Sequence, residues 1–242
     1  MTTSIEPGAA QPQSFASGDL YRLMAWFSPS YPIGAFSYSH GIEYAIEAGY
    51  VKDVATLSGW IAHILRRGAG FTDAVLLKEA YAAAGDLARL DELADLAAAW
   101  RGTQEMALES SQQGGSFLSV TRAAWNAAEK PVLDDFARLR ADRPVALSIV
   151  IGLAAAVHRL DLKAVVAAYL HAFAANLVSA AVRIIPLGQT DGQRALAALL
   201  PVVDSVVDCA LACPLEECGA AAPMVDLCSM MHETQYTRLF RS

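Results

Sequence analysis

Apolar residues recur at helical spacing along almost the whole chain. In "DLYRLMAWF", beginning at Asp19, residues Leu20, Leu23, Met24 and Phe27 follow the i, i+3, i+4, i+7 register that lines one face of a helix. Leu57, Trp60, Ile61, Ile64 and Leu65 repeat the pattern and meet a stop at Gly68–Gly70. A further helix is expected over Asp73–Ala84, and Leu87, Leu90 and Leu93 mark the next. Pro144 is placed to open an apolar helix over Val145–Val157. Asp161 is placed to cap a long Ala-rich helix that Gly188 would end. Thr190 to Gln193, "TDGQ", has capping-box spacing for the helix after it. Sustained apolar–polar alternation is missing, as is an Asn-Gly or Asp-Gly turn between β-branched runs. The pattern predicts an all-α fold: a single compact domain of about nine to eleven helices over residues 19–231.

Composition sharpens this picture. Of 242 residues, 55% are hydrophobic and 18% charged, so the core is large or some apolar surface is kept for partners. A net charge of −7 turns the expectation away from nucleic acid, which needs a basic field. Residues 1–18, "MTTSIEPGAAQPQSFASG", read as a short disordered leader, lacking the apolar centre and basic lead of a secretory signal. The four cysteines fit reduced thiols in a cytoplasmic protein. The uncharged run Ala164–Val182 is near spanning length. Its alanines, with His171, Asn176 and Ser179, favour a buried core helix over a membrane span.

The chemistry-bearing residues gather in "SPSYPIGAFSYSHGIEYAIEAG", Ser28 to Gly49, and three readings of it compete. Ser37, Tyr38, Ser39, His40 and Gly41 stand one substitution from a G-x-S-x-G nucleophile elbow, which makes an all-α enzyme using Ser37, Ser39 or His40 an alternative. An elbow needs a strand leading in, however, and Pro29, Pro32 and Gly34 interrupt that approach. On a helix starting near Ser37, His40, Glu43 and Glu47 share a face and could ligate a divalent ion, though any solvated helix face shows the same pattern. In the third reading Tyr38, Ile42, Ala45 and Ile46 are the buried stripe and Gly49 ends the helix. The outer face then shows hydroxyls, His40, Glu43 and Tyr44 to a protein partner, with nothing enclosing a pocket.

The same stretch, "SPSYPIGAFSYSHGIEYAIEAGYV", resembles the N-terminal signature of the urease accessory protein UreF family. "VSAAVRIIPLGQTDGQ" (Val178 to Gln193) is similar to that family's most distinctive later motif. "RGTQEMALESSQQGGSFL" is similar to its central helix, and "HETQYTRLFRS" (His232 to Ser242) to its closing tail. The resemblance implies a non-enzymatic, all-α homodimer acting as an adaptor. Its partners would be a UreD/UreH-type accessory protein, the UreG-type GTPase and apo-urease, with no nucleic acid or membrane. No cofactor is expected to bind stably; nickel would arrive only through the maturation complex.

On that reading the GTPase-facing residues are Ser37, Tyr38, His40, Glu43, Arg183, Gln189, Thr190 and Gln193. Arg183 has a plainer role as well, satisfying carbonyls at a helix end. The tail 232–242 is expected to bind the UreD-type partner through Thr234, Tyr236, Arg238, Leu239, Phe240 and Arg241, or to fold back on its own domain. Cys209 with Cys213, and Cys228 with His232, stand at i, i+4. Burial is the leading expectation for the cysteines, with Cys228 and His232 as weak nickel ligands. His63, His158 and His171 are read as structural. A membrane-associated helical protein is the remaining alternative.

Overall fold

The computed structural model describes residues 16–125 and 131–242. Most of the expected leader and the turn expected near Lys130 lie outside the described residues, and Ser17 and Gly18 already belong to the first helix. The described residues form eleven α-helices and two short 3-10 turns, with no strand among them. In order they are α1 (Ser17–Trp26), α2 (Ile42–Glu47), α3 (Val54–Arg67), α4 (Ala69–Ala82), α5 (Leu87–Ala99), α6 (Gln104–Ala124), α7 (Val132–Leu139), α8 (Leu147–Val157), α9 (Leu162–Val182), α10 (Gln189–Ala212) and α11 (Pro223–His232). The 3-10 turns are Ala35–Ser37 and Leu215–Glu217.

The apolar α8 is buried on nearly every side and forms the axis of the core. Helices α4 and α6 pack closely on it, with α5, α7 and α9 around them. Close packing depends on two glycines. A Cβ on Gly152 would fall 2.3 Å from the Leu77 carbonyl oxygen of α4, and one on Gly114 of α6 would fall 1.9 Å from the Val145 carbonyl oxygen. Helix α10 lies against α3, α9 and α4. Both α9 and α10 are long and apolar enough to cross a membrane by length and composition. Here α9 packs against α2, α3, α4 and α10, as expected of a core helix.

Several helix starts follow local chemistry. The Asp161 carboxylate accepts the Ala164 N–H at 2.8 Å, as its position implied. Asp86 and Thr103 cap α5 and α6 in the same way, and Asp53 with Thr56 forms a capping box on α3. Other starts differ from the pattern. Gly68 separates α3 from α4, which begins at Ala69 rather than Asp73 and carries Gly70 in its first turn. Helix α8 begins at Leu147. Helix α9 ends at Val182, short of Gly188, which instead caps α10 and donates its N–H to Asp191 at 3.3 Å. Thr190 therefore sits inside α10. Helix α1 corrects the expected stripe too: Leu23 and Trp26 are buried, whereas Leu20 and Met24 are 51% and 67% exposed. Trp26 takes the inner position because its indole meets the Phe117 ring edge-on at 5.5 Å.

Gly152→Ala is expected to lower the stability of the domain by about 2 kcal/mol, since the added methyl must push α8 from backbone atoms of α4. Urea titration followed by circular dichroism measures this; an unchanged midpoint would contradict the packing described.

Candidate functional site

The polar stretch Ser28–Gly49 is shaped by consecutive left-handed residues. Gly34 has φ +73°, and after the 3-10 turn His40 and Gly41 adopt φ +56° and +76°. At Gly41 glycine is doubly required, because a Cβ there would also lie 2.8 Å from the Ser229 backbone nitrogen on α11. Helix α2 therefore begins at Ile42 rather than near Ser37, and the set of residues facing inward changes. Tyr38, Ile42 and Ala45 are buried as expected, Ile46 is half-buried, and Gly49 ends the turn at φ +78°. The expected outer face is corrected: Ser39, His40 and Glu43 are buried, at 0%, 4% and 6% exposure.

What they face is the end of the chain. Glu43 accepts the backbone N–H groups of Leu239 and Phe240 at 2.7 and 2.9 Å, and its carboxylate stands 3.0 Å from His232 Nε2. The other ring nitrogen, His232 Nδ1, lies 2.8 Å from Glu105, which also accepts from Arg238 at 3.2 Å. Alongside, His40 Nδ1 lies 3.1 Å from Glu109, and Glu109 accepts from Gln113 Nε2 at 3.2 Å and Ser242 Oγ at 3.4 Å. The Ser39 N–H and hydroxyl both donate to the Ser242 backbone oxygen, and the Arg241 N–H donates to Ser37 at 2.8 Å. Of the two arrangements open to the tail, this is the folded-back one. Phe240 is its buried anchor; Tyr236, Leu239, Thr234, Arg238 and Arg241 stay exposed.

Arg183 joins the separate motifs. From the end of α9 it donates to its own helix at Ser179 O (3.2 Å) and to Phe36 O in the loop (2.9 Å). Its guanidinium also lies 4.3 Å from the centroid of the Phe240 ring. The plainer role is thus filled, and the same side chain ties loop, helix end and tail together. Gln189, Thr190 and Gln193 are exposed on the first turns of α10 nearby in sequence.

Residues 51–200 match the model of the UreF family. The chain belongs to the UreF family. It is 48% identical over 244 residues to "Urease accessory protein UreF" of Rhodopseudomonas palustris, covering all of both chains. To the protein of that name from Granulibacter bethesdensis it is 50% identical over 233 residues, 94% of this chain and 96% of the relative. A Bradyrhizobium protein of the same name is 47% identical over 92% of each. The family-model match ends before the tail and begins after the signature loop, whereas the Rhodopseudomonas alignment runs through both.

The metal readings fare poorly in this UreF-family chain. His40, Glu43 and Glu47 do not converge: they turn to Glu109, to His232 with the tail, and to Gln235 respectively. Both ring nitrogens of His232 are already met by carboxylates. Cys228 is buried, and that burial pushes its thiol up to about 11. Burial as the general fate of the cysteines is corrected by Cys209, which is exposed, and by Cys213 and Cys218, which are half-buried. Among the described residues no group of three His, Cys, Asp or Glu is placed to hold a metal ion. His158 packs edge-on against Trp26 and is held below its ordinary pKa by burial, while His63 and His171 are exposed.

Two features escaped the sequence pattern. Asp73, buried on α4, accepts from Arg101 (paired in two contacts), Ser148 at 3.0 Å and Tyr169 at 2.8 Å. Burial, followed by the Asp73 charge, raises the Tyr169 phenol well above its ordinary pKa. The loop also lines two half-open pockets, where the sequence pattern led to none being expected. Cavities of about 370 and 220 Å³ share His40, Arg101 and Met106 as lining residues.

Glu43→Ala removes the acceptor of two tail amides and one side of His232. Amide exchange by mass spectrometry at pH 7 should show at least ten-fold faster exchange at Leu239 and Phe240, with far-UV circular dichroism preserved. Unchanged protection would place the hold on the tail elsewhere.

Proposed function

We propose that this chain is a non-catalytic adaptor in urease maturation, joining a UreD/UreH-type accessory protein to the UreG-type GTPase so that nickel reaches apo-urease. Membership of the UreF family supports the role in maturation. The observation that carries the adaptor reading is the apolar surface left outside the fold. Helix α11 exposes Met224, Leu227, Met230 and Met231, and the tail exposes Tyr236 and Leu239. A lone chain has no use for such a surface, and methionine-rich faces suit protein contacts. Helix α1 adds Leu20, Tyr21 and Met24, a face suited to a homodimer contact. The enzyme alternative finds no comparable support: the Ser39 hydroxyl and His40 ring are committed to internal partners.

The burial of His40 and Glu43 changes how the GTPase-facing side is drawn. Those two residues and Tyr38 support the surface from within; of the expected set Ser37, Arg183, Gln189, Thr190 and Gln193 are left to meet UreG, with the exposed Phe36 added beside them. Arg183 is a positioning residue here, holding the loop through the Phe36 carbonyl. Catalysis is assigned to the partners: the adaptor raises the local concentration of metal-loaded GTPase beside its acceptor and thereby modulates turnover. Nickel is cargo, and the setting is the cytoplasm.

Two paired variants test the assignment. Tyr236→Ala with Leu239→Ala should weaken binding of the UreD-type partner at least ten-fold in a pull-down and leave UreG binding to the preformed complex intact. Gln189→Ala with Gln193→Ala should do the reverse. Exchange of the two outcomes would overturn the surfaces, and normal urease activation by both variants would overturn the adaptor role.

A further inference from the structure

Two thiols outside the tail cluster stand side by side. Helix α10 ends at Ala212, and Cys213 and Pro214 continue from it as extended chain. The 3-10 turn Leu215–Glu217 follows. It is closed by the Glu217 N–H on the Pro214 carbonyl and the Cys218 N–H on the Leu215 carbonyl, both at 3.1 Å. This turn brings Cys218 back against Cys213, and the two thiols are hydrogen-bonded to each other. Cys213 Sγ also donates to the Pro214 carbonyl at 3.3 Å. Both cysteines are half-buried, so a small reagent reaches them while the turn holds them together. Among the described residues no third His, Cys, Asp or Glu completes a metal set with the pair.

From this geometry we infer that Cys213 and Cys218 form a reversible dithiol–disulfide modification site, closed by exchange with a small disulfide of the glutathione class. This stands apart from the partner assignments above. Cys213, as thiolate, attacks one sulfur of the small disulfide; that S–S bond breaks, one glutathione thiolate leaves, and a mixed disulfide forms on Cys213. Cys218 then loses its proton and attacks the Cys213 sulfur, forming the Cys213–Cys218 bond and expelling the second glutathione thiolate. Two protein thiols are oxidised, and one glutathione disulfide is reduced to two thiols, which take up the two protons released. The sulfurs already touch, so side-chain rotation is enough to reach the bonding distance of about 2 Å. In a reducing compartment the pair rests as the dithiol and closes when the thiol pool is oxidised.

The surroundings suit each thiol to its step. Burial, followed by the adjoining Cys213 thiol, pushes Cys218 up to about 11, which leaves the first attack to Cys213. Once Cys213 carries glutathione, its thiol no longer opposes ionisation of Cys218. Lys78 of α4, bonded to the Cys213 carbonyl, adds a positive charge that draws Cys218 toward the thiolate. The closed bond is then slow to release Cys218, because a thiol of high pKa is a poor leaving group. Only four residues, 214–217, separate the cysteines, so the bond constrains the turn rather than the domain. Cys218, Gly219 and Ala220 line the cavity of about 370 Å³ together with His40 and Arg101, and closure fixes that wall.

Mass spectrometry tests the site on the full chain. The protein is equilibrated with glutathione and glutathione disulfide, free thiols are blocked with N-ethylmaleimide, and the product is digested with trypsin and Glu-C. Trypsin cuts after Arg194 and Glu-C cuts at Glu216 and Glu217, between the two cysteines. The closed form therefore yields fragments 195–217 and 218–233 joined by a disulfide that tandem fragmentation assigns. The Cys213–Cys218 pair should exceed every other cysteine pair at least ten-fold in monomeric protein, and disappear when reduced glutathione is added in excess. Cys218→Ser should instead retain glutathione on Cys213, and Cys209→Ser should leave the link unchanged. If Cys218→Ser does not fold, Cys213→Ser gives the complementary test: it should abolish the link without pairing Cys218 elsewhere. Glutathione adducts alone in the wild type, or a dominant link through Cys209, Cys228 or a second chain, would overturn the inference.

Discussion

A carboxylate buried beneath the last residues of a chain has to find donors there, and Glu43 finds them in two tail amides and the His232 ring. Remove this meeting and the neighbouring features lose their reason. Gly41 approaches α11 closely enough that no side chain fits, and that approach brings α2 beside His232. Ser39 and Ser37 receive the final residues, and Arg183 closes over Phe240. Burying charges of this kind is costly unless each is paired and hydrogen-bonded, and a half-satisfied cluster would be worse than an apolar one. Glu43, Glu105 and Glu109 each accept from at least two groups, which is the condition for the cluster to persist.

Two polar networks thus sit inside a molecule whose bulk is apolar helix. One fastens the tail; the other, at Asp73, draws α4, α8, α9 and the residue Arg101 between α5 and α6 to a common point. Both border the cavities behind the signature loop. The loop is consequently rigid by internal bonding, and what it offers a partner is determined by what remains outside: Phe36, Arg183 and the start of α10. A preformed surface of this kind loses little entropy when a partner binds it.

The legible part of this architecture was local. Apolar spacing announced the helices, Asp161 announced a cap, and Gly34 and Gly49 announced turns, each through residues only a few positions apart. The stretch Ser28–Gly49 also stood out for its concentration of chemistry-bearing residues. What misled was its periodicity. A helix drawn from Ser37 puts His40, Glu43 and Glu47 on one solvated face, whereas the real helix starts five residues later, after two left-handed residues. Likewise α1 carries a regular apolar stripe, yet its indole at Trp26 displaces Met24 from the core.

The chain's helical class, its family and its conspicuous motifs follow from residue order, because hydrophobic period, caps and glycine turns act within a few residues. Which charges are buried follows from folding. Glu43 and His232 are separated by 189 residues, and Asp73 meets donors 28, 75 and 96 residues away. A carboxylate on a helix face is solvated or enclosed according to what lands upon it, and no local period carries that information.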